Sequence, residues 1–178
     1  MKLFVVRHGQ TNYNLKHLCN DDPKINVHLT EEGKKQAGIV ANELKNIQFD
    51  AVFISEIPRT RVTAELITRN RNLIFNVDDR INDRKTGYEG RSTIEFNEIM
   101  KEDPFNKKIN DGESFQDEKE RVFSFLGELS KLDYENVLIV SHHEIIKIIT
   151  GHFNKLTDQE MWDLKIPNCM VQEFDLKN

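Results

Sequence analysis

The chain has 178 residues, 38% of them hydrophobic, which is enough for a sizeable core and leads to the expectation of a single domain over residues 1–178. Its net charge of -5 argues against nucleic acid as a partner and does nothing to draw in a phosphorylated metabolite from a distance, so any anion site must be built locally. Neither the short apolar run of residues 3–6 nor any later stretch is long enough for a signal peptide or a membrane span, so a cytoplasmic protein without membrane contact is expected, with Cys19 and Cys169 as free thiols rather than metal ligands or a disulfide scaffold.

In chain order, residues 2–6 are an apolar, β-branched run that suits a strand buried on both faces. Thr30 then caps a helical pattern with Ala37, Val40, Ala41 and Leu44 at spacings of three and four. Residues 51–54 and 73–77 repeat the strand pattern. Between them, the basic stretch of residues 59–71 contains Glu65 and no interleaved aromatic, as a solvated helix face would. Residues 78–85 mix acids and bases and read, on composition, as a solvated, salt-bridged loop. Ser92 with Glu95, Ser114 with Asp117 and Thr157 with Glu160 have the spacing of capping boxes. After Ser114, the residues Val122, Phe125, Leu126, Leu129 and Leu132 make an apolar stripe, and Phe123 and Phe153 are assigned to the core with them. Residues 137–140 form a further buried strand, and residues 170–176 alternate as an edge strand does. Strands alternating with helices predict an α/β three-layer sandwich with a central, mostly parallel sheet, whose ligands bind beyond the carboxyl ends of the strands.

Arg7-His8-Gly9 follows the first strand, residues 55–59 follow the second, and Ser141-His142 follow the strand at 137–140, so two arginines and two histidines are expected at one sheet edge. Guanidinium groups offer planar forks that match phosphoryl oxygens, which makes Arg7 and Arg59 candidates to hold a phosphoryl dianion. Beside those cations the imidazole of His8 would stay neutral and able to attack phosphorus without a metal. His142 and the amide of Asn14 are suited to donate to the phosphoryl oxygens. An alkoxide leaving group needs a proton, for which Asp83 is the first candidate and Glu113 the second. His143, His17, His28 and His152 are assigned surface or packing roles, and His142-His143-Glu144 lacks the second histidine of a zinc motif, so no metal site is expected. Neither glycine-rich nucleotide-binding motif occurs.

Taken together, these segments resemble the histidine phosphatase superfamily, the phosphoglycerate-mutase-like proteins, over nearly the whole chain. Arg7-His8-Gly9-Gln10-Thr11-x-x-Asn14 is similar to the opening motif, which implies a phosphorylated His8, phosphate binding by Arg7 and Asn14, and Gly9 beside the substrate. Ser55-x-Ile57-x-Arg59-Thr60-x-x-Thr63-Ala64 resembles the second motif, with Arg59 at a helix start, and Val140-Ser141-His142 resembles the third, although His143 stands where many members have glycine. Gly112-Glu113-Ser114 and Pro167-Asn168 resemble supporting segments. Members similar to this chain usually carry glutamate ahead of a Gly-x-aromatic-Glu-Gly, whereas here Asp83 precedes Gly87-Tyr88-Glu89-Gly90, one methylene and one residue shorter.

The expected activity is therefore a metal- and cofactor-independent phosphomonoesterase acting on small phosphorylated metabolites through a phosphohistidine on His8, with Glu113 counted among the substrate-binding residues. A cofactor-dependent phosphoglycerate mutase and a phosphoryl-binding module with little turnover are the alternatives. A homodimer is the one assembly considered.

Overall fold

A computed structural model describes residues 1–25, 27–69 and 71–176. Strands β1 (Lys2–Arg7), β2 (Ala51–Ile54), β3 (Phe75–Val77), β4 (Asn136–Ser141) and β5 (Val171–Asp175) form one sheet in the order β3-β2-β4-β1-β5. The first four run parallel, and β5 pairs antiparallel with β1 at one edge. Helices α1 (Asn12–Lys16), α2 (Glu31–Glu43), α3 (Pro58–Ile67), α4 (Thr93–Met100), α5 (Phe115–Leu129), α6 (His143–Asn154) and α7 (Asp158–Asp163) make up the remaining regular structure, with a 3-10 turn at Asp79–Ile81.

Side chains alternate across a strand, so an apolar run can fill two cores at once. Leu3, Val5, Val137 and Ile139 face one core with Phe125, Leu126 and Leu129 of α5 and Ile145, Ile146, Ile148 and Ile149 of α6. Phe4, Val6, Leu138 and Val140 face the other with Ala37 and Val40 of α2 and Ala64 and Ile67 of α3. The central pair β1 and β4 is thereby clamped from both sides, and its carboxyl ends are held in fixed register.

Capping fixes where the helices begin. Thr30 accepts the Gly33 amide at the start of α2, and complete capping boxes form at Ser114 with Asp117 and at Thr157 with Glu160. Ser92 accepts the amides of Ile94 and Glu95, but Glu95 does not reach back: its carboxylate lies 3.4 Å from the Tyr88 hydroxyl and 3.9 Å from Arg91.

Four further details depart from the expectations. β3 has three residues rather than five, and Ile74, just before it, is 84% exposed because the strand is an edge strand paired only with β2. The apolar stripe of α5 ends at Leu129, since the helix closes at Ser130 and Leu132 falls outside it on the surface. Phe123 is on the outer side of the same helix, against His152 rather than in the core. Residues 78–85 are no solvated loop, for Ile81 and Arg84 are both buried. Among the described residues, no helix is long and apolar enough to cross a membrane.

Phe125 is buried under β2, edge-on to Phe53 at 5.5 Å between ring centroids, and it anchors α5 to the sheet. Phe125→Ala is expected to lower unfolding free energy by about 3–5 kcal/mol, as large-to-small core changes do, seen as a lower urea midpoint with an unchanged slope.

Candidate active site

The site starts from strand register. Arg7 of β1 lies opposite Ser141 of β4 in a parallel pair, so the next residues, His8 and His142, leave the sheet side by side. Their ring centroids are 5.4 Å apart with planes inclined by 61°. β2 flanks β4 on its other side and delivers Ser55 to the same edge, where its hydroxyl lies 2.8 Å from Nε2 of His142. Pro58 opens α3, which suits the first helical position because its missing N–H would have no partner there, and Arg59 follows in the first turn.

Arg59 joins these segments. Its side chain is 5% exposed; Nε donates to Nε2 of His8 at 3.1 Å, and Nη2 donates to Oδ2 of Asp83 at 2.9 Å and to Nδ1 of His142 at 3.1 Å. Nη1 and Nη2 also donate to the side-chain and backbone oxygens of Asn20. One guanidinium thus ties two histidines, the candidate acid and a loop residue into one network.

Those contacts determine the tautomers. Nδ1–H of His8 donates to the carbonyl of Gly9 at 2.8 Å, so Nε2, which accepts from Arg59, carries the lone pair. Burial first, and then the charges of Arg59 and Arg7, hold His8 well below the usual histidine range. Burial, Arg59 and His8 do the same for His142, so both rings are neutral near pH 7. For His8, loss of water is a larger cause than the neighbouring cations. With Nδ1 of His142 accepting from Arg59, its Nε2–H donates to Ser55.

Arg7 is anchored by Nη1, which donates to the carbonyl of Ile166 at 2.6 Å, while its buried Nε has no partner among the described residues. Asn14 commits its side-chain oxygen to the Thr11 and Asn168 donors, which leaves its amide nitrogen as the group turned to other use. Gly9 differs from expectation: its N–H donates to Thr63 Oγ1 and is not available to a substrate. A side chain there would meet the Gly33 carbonyl at 2.6 Å, so glycine lets the loop pass over the start of α2.

Arg7, His8, Asn14, Arg59 and Asp83 line one cavity of about 460 Å³. Glu113 does not. It lies in the neighbouring cavity, which also borders Asp83, and its two oxygens accept from Nε and Nη2 of Arg121 at 2.8 and 2.9 Å, with the Lys85 amide at 3.0 Å. Burial pushes its pKa up, but Arg121 outweighs that and holds it below the usual carboxylate range, a poor state for a proton donor. Asp83 is also paired with an arginine, Arg59 at 2.9 Å, but it lines the cavity of His8 and lies 3.6 Å from Nδ1 of His142.

Several cavity residues had no signal in the sequence. Asn20 and Arg84 arrive through the folded paths of their loops, and Cys19, buried with its thiol pushed up to about 11 by loss of water, lines the same wall. His143, expected on the surface, borders the cavity and its Nδ1 lies 2.8 Å from Glu144. Among the described residues, no group of three or more His, Cys, Asp or Glu is placed to hold a metal ion.

The chain is 29% identical to the adenosylcobalamin/alpha-ribazole phosphatase of Escherichia coli (strain K12), covering 99% of this chain and 90% of that protein. It is 30% identical to phosphoserine phosphatase 1 of Hydrogenobacter thermophilus over 82% of this chain and 72% of the relative. The crystal structure of the alpha-ribazole phosphatase from Shigella flexneri superposes with a TM-score of 0.89 at 27% identity, over 98% of this chain and 90% of that one. Residues 3–178 match the histidine phosphatase superfamily (branch 1) as a whole, so the chain belongs to that superfamily and is one of its phosphatases.

Proposed function

We propose that the chain is a phosphomonoesterase for small phosphorylated metabolites, with His8 as its nucleophile and no need of a metal ion. The observation that carries this is the bare Nε2 of His8, buried, neutral and turned toward the guanidinium of Arg59. A phosphoryl group entering there would exchange that contact for its own with Arg59, Arg7 and the amide of Asn14, all in a water-poor setting that strengthens each charge-assisted bond. The relatives named as alpha-ribazole and phosphoserine phosphatases support a small phosphorylated substrate, and a cavity of about 460 Å³ suits one.

In the first step a phosphoryl group that enters as its monoanion would take Arg59 from Asp83 and leave its proton on that carboxylate; Nε2 of His8 then bonds to phosphorus, the ester P–O bond breaks, and Asp83 gives the proton to the departing oxygen. In the second, water attacks phosphorus, Asp83 takes the water's proton, and the N–P bond breaks to release inorganic phosphate. His142, whose Nδ1 accepts from Arg59 while its Nε2–H donates to Ser55, would keep that guanidinium oriented toward the phosphoryl oxygens.

A panel of phosphorylated metabolites, assayed for phosphate release with and without chelator, tests the activity. Isomerisation of 3-phosphoglycerate without phosphate release would point to the mutase, and binding without turnover across the panel to a module that only holds phosphate. His8→Ala is expected to lower kcat/KM by about 10⁴-fold or more. Asp83→Asn is expected to slow alkyl phosphates by about 10²–10⁴-fold but activated aryl phosphates by less than about tenfold, since the latter leave without a proton; equal slowing of both would remove Asp83 from the acid role. At pH 6, below the ordinary histidine value of 6.5, His8 should still be neutral, because burial and its cationic neighbours disfavour the added proton. Nitrogen-15 spectra should then show its Nδ1 protonated and its Nε2 bare.

A further inference from the structure

Asp83 sits on a stretch with neither helix nor strand, between the 3-10 turn at Asp79–Ile81 and α4. Its side chain has one hydrogen-bond partner among the described residues, Arg59 at 2.9 Å, and the reaction above hands that partner to the phosphoryl group. A carboxyl group that must then meet the departing oxygen has to be held from behind, through the backbone on either side of it.

Arg121 and Glu113 reach that backbone from two sides. Nη1 of Arg121 donates to the carbonyl of Arg80 at 2.7 Å and to that of Asn82, the residue just before Asp83, at 2.9 Å. Its Nε and Nη2 donate to the two oxygens of Glu113, and that carboxylate also accepts the amide of Lys85, two residues after Asp83, at 3.0 Å. In return the Glu113 amide donates to the Lys85 carbonyl at 2.6 Å. A Cβ at Gly112 would meet the same carbonyl at 2.6 Å, so glycine lets the two loops lie this close, while Ser114 caps α5. The base of the clamp is rigid, because Arg121 lies in α5 next to Val122, which is fully buried in the core. A lysine could reach the carbonyls or the carboxylate but not both, since only a guanidinium offers donors along two edges. Neither Arg121 nor Glu113 lines the cavity of His8.

We propose that the Arg121–Glu113 pair positions the proton donor: it fixes the backbone on both sides of Asp83, so that the carboxyl group stays within reach of the leaving oxygen after Arg59 has moved to the phosphoryl group. This role rests on Asp83 being the acid. It gives Glu113 a task that is neither proton transfer nor substrate binding.

The test compares kcat/KM, which covers the steps up to the first P–O cleavage, for the best-hydrolysed alkyl phosphate of the panel above and for para-nitrophenyl phosphate. Arg121→Gln is expected to lower the alkyl value about tenfold or more and the aryl value less than about threefold, since only the alkyl leaving group needs the proton. In an Asp83→Asn background the same change should lower the alkyl value less than about twofold, because no acid is left to position. Arg121→Lys should recover part of the alkyl rate. An arginine that merely supports the fold would slow both esters alike and add its full effect to that of Asp83→Asn. Either of those results overturns the positioning role and leaves Asp83 with its own selectivity. Equal slowing of the two esters by Asp83→Asn, or no hydrolysis of either by the wild type, removes the acid and this role with it. Should Arg121→Gln not fold, Glu113→Gln, which weakens the ion pair but leaves the two carbonyl contacts, decides by the alkyl-to-aryl ratio. A fall of about threefold or more supports the role, and an unchanged ratio overturns it.

Discussion

The buried guanidinium of Arg59 holds the site together. It is paired with Asp83, bonded to both histidines and tied to Asn20, so four stretches distant in sequence are connected through one side chain. Removing such a charge from water is expensive, and here the cost is offset by a carboxylate and by acceptors on every nitrogen. Burial first, and then the same guanidinium within hydrogen-bond reach, keep the two imidazoles neutral. The packing that encloses Arg59 is therefore a common origin for geometry and protonation state.

That origin depends in turn on the sheet. Parallel pairing of β1 with β4 sets Arg7 opposite Ser141, and the cores on both faces prevent either strand from slipping. α3 brings Arg59 in from the next strand, while the turn after Ile81 carries Asp83 to the rim, where the carbonyl of Ile81 accepts from Ser141 Oγ at 2.7 Å. An acidic protein thus builds a strongly cationic cavity with few residues, each held by a rigid element.

What could be seen in the sequence was what depends on local pattern. The strands at 2–6, 51–54 and 137–140 announce themselves because burial on both faces requires unbroken apolar runs, and the residues following them come to one edge by topology alone. Edge and surface details were less visible: Ile74 and Leu132 are apolar by composition, yet they lie where no second layer covers them. The choice between Asp83 and Glu113 was open in the sequence because both follow loops; only the folded chain reveals that Glu113, held by Arg121, stands outside the cavity of His8 while Asp83 lines it. Asn20 and Arg84 gave no signal, since a polar residue in a charged loop is usually solvated, and their burial depends on contacts with chain segments far away.

The central claim is that phosphorus is carried on the protein, on one particular nitrogen. The most direct measurement is alkaline quenching of the enzyme during turnover, which preserves phosphoramidates, followed by peptide mass mapping. A phosphoryl group on Nε2 of His8, formed and lost at rates compatible with turnover, is the expected result. Turnover proceeding with residue 8 unmodified at every quench time, or with the phosphoryl group on another side chain, would contradict it.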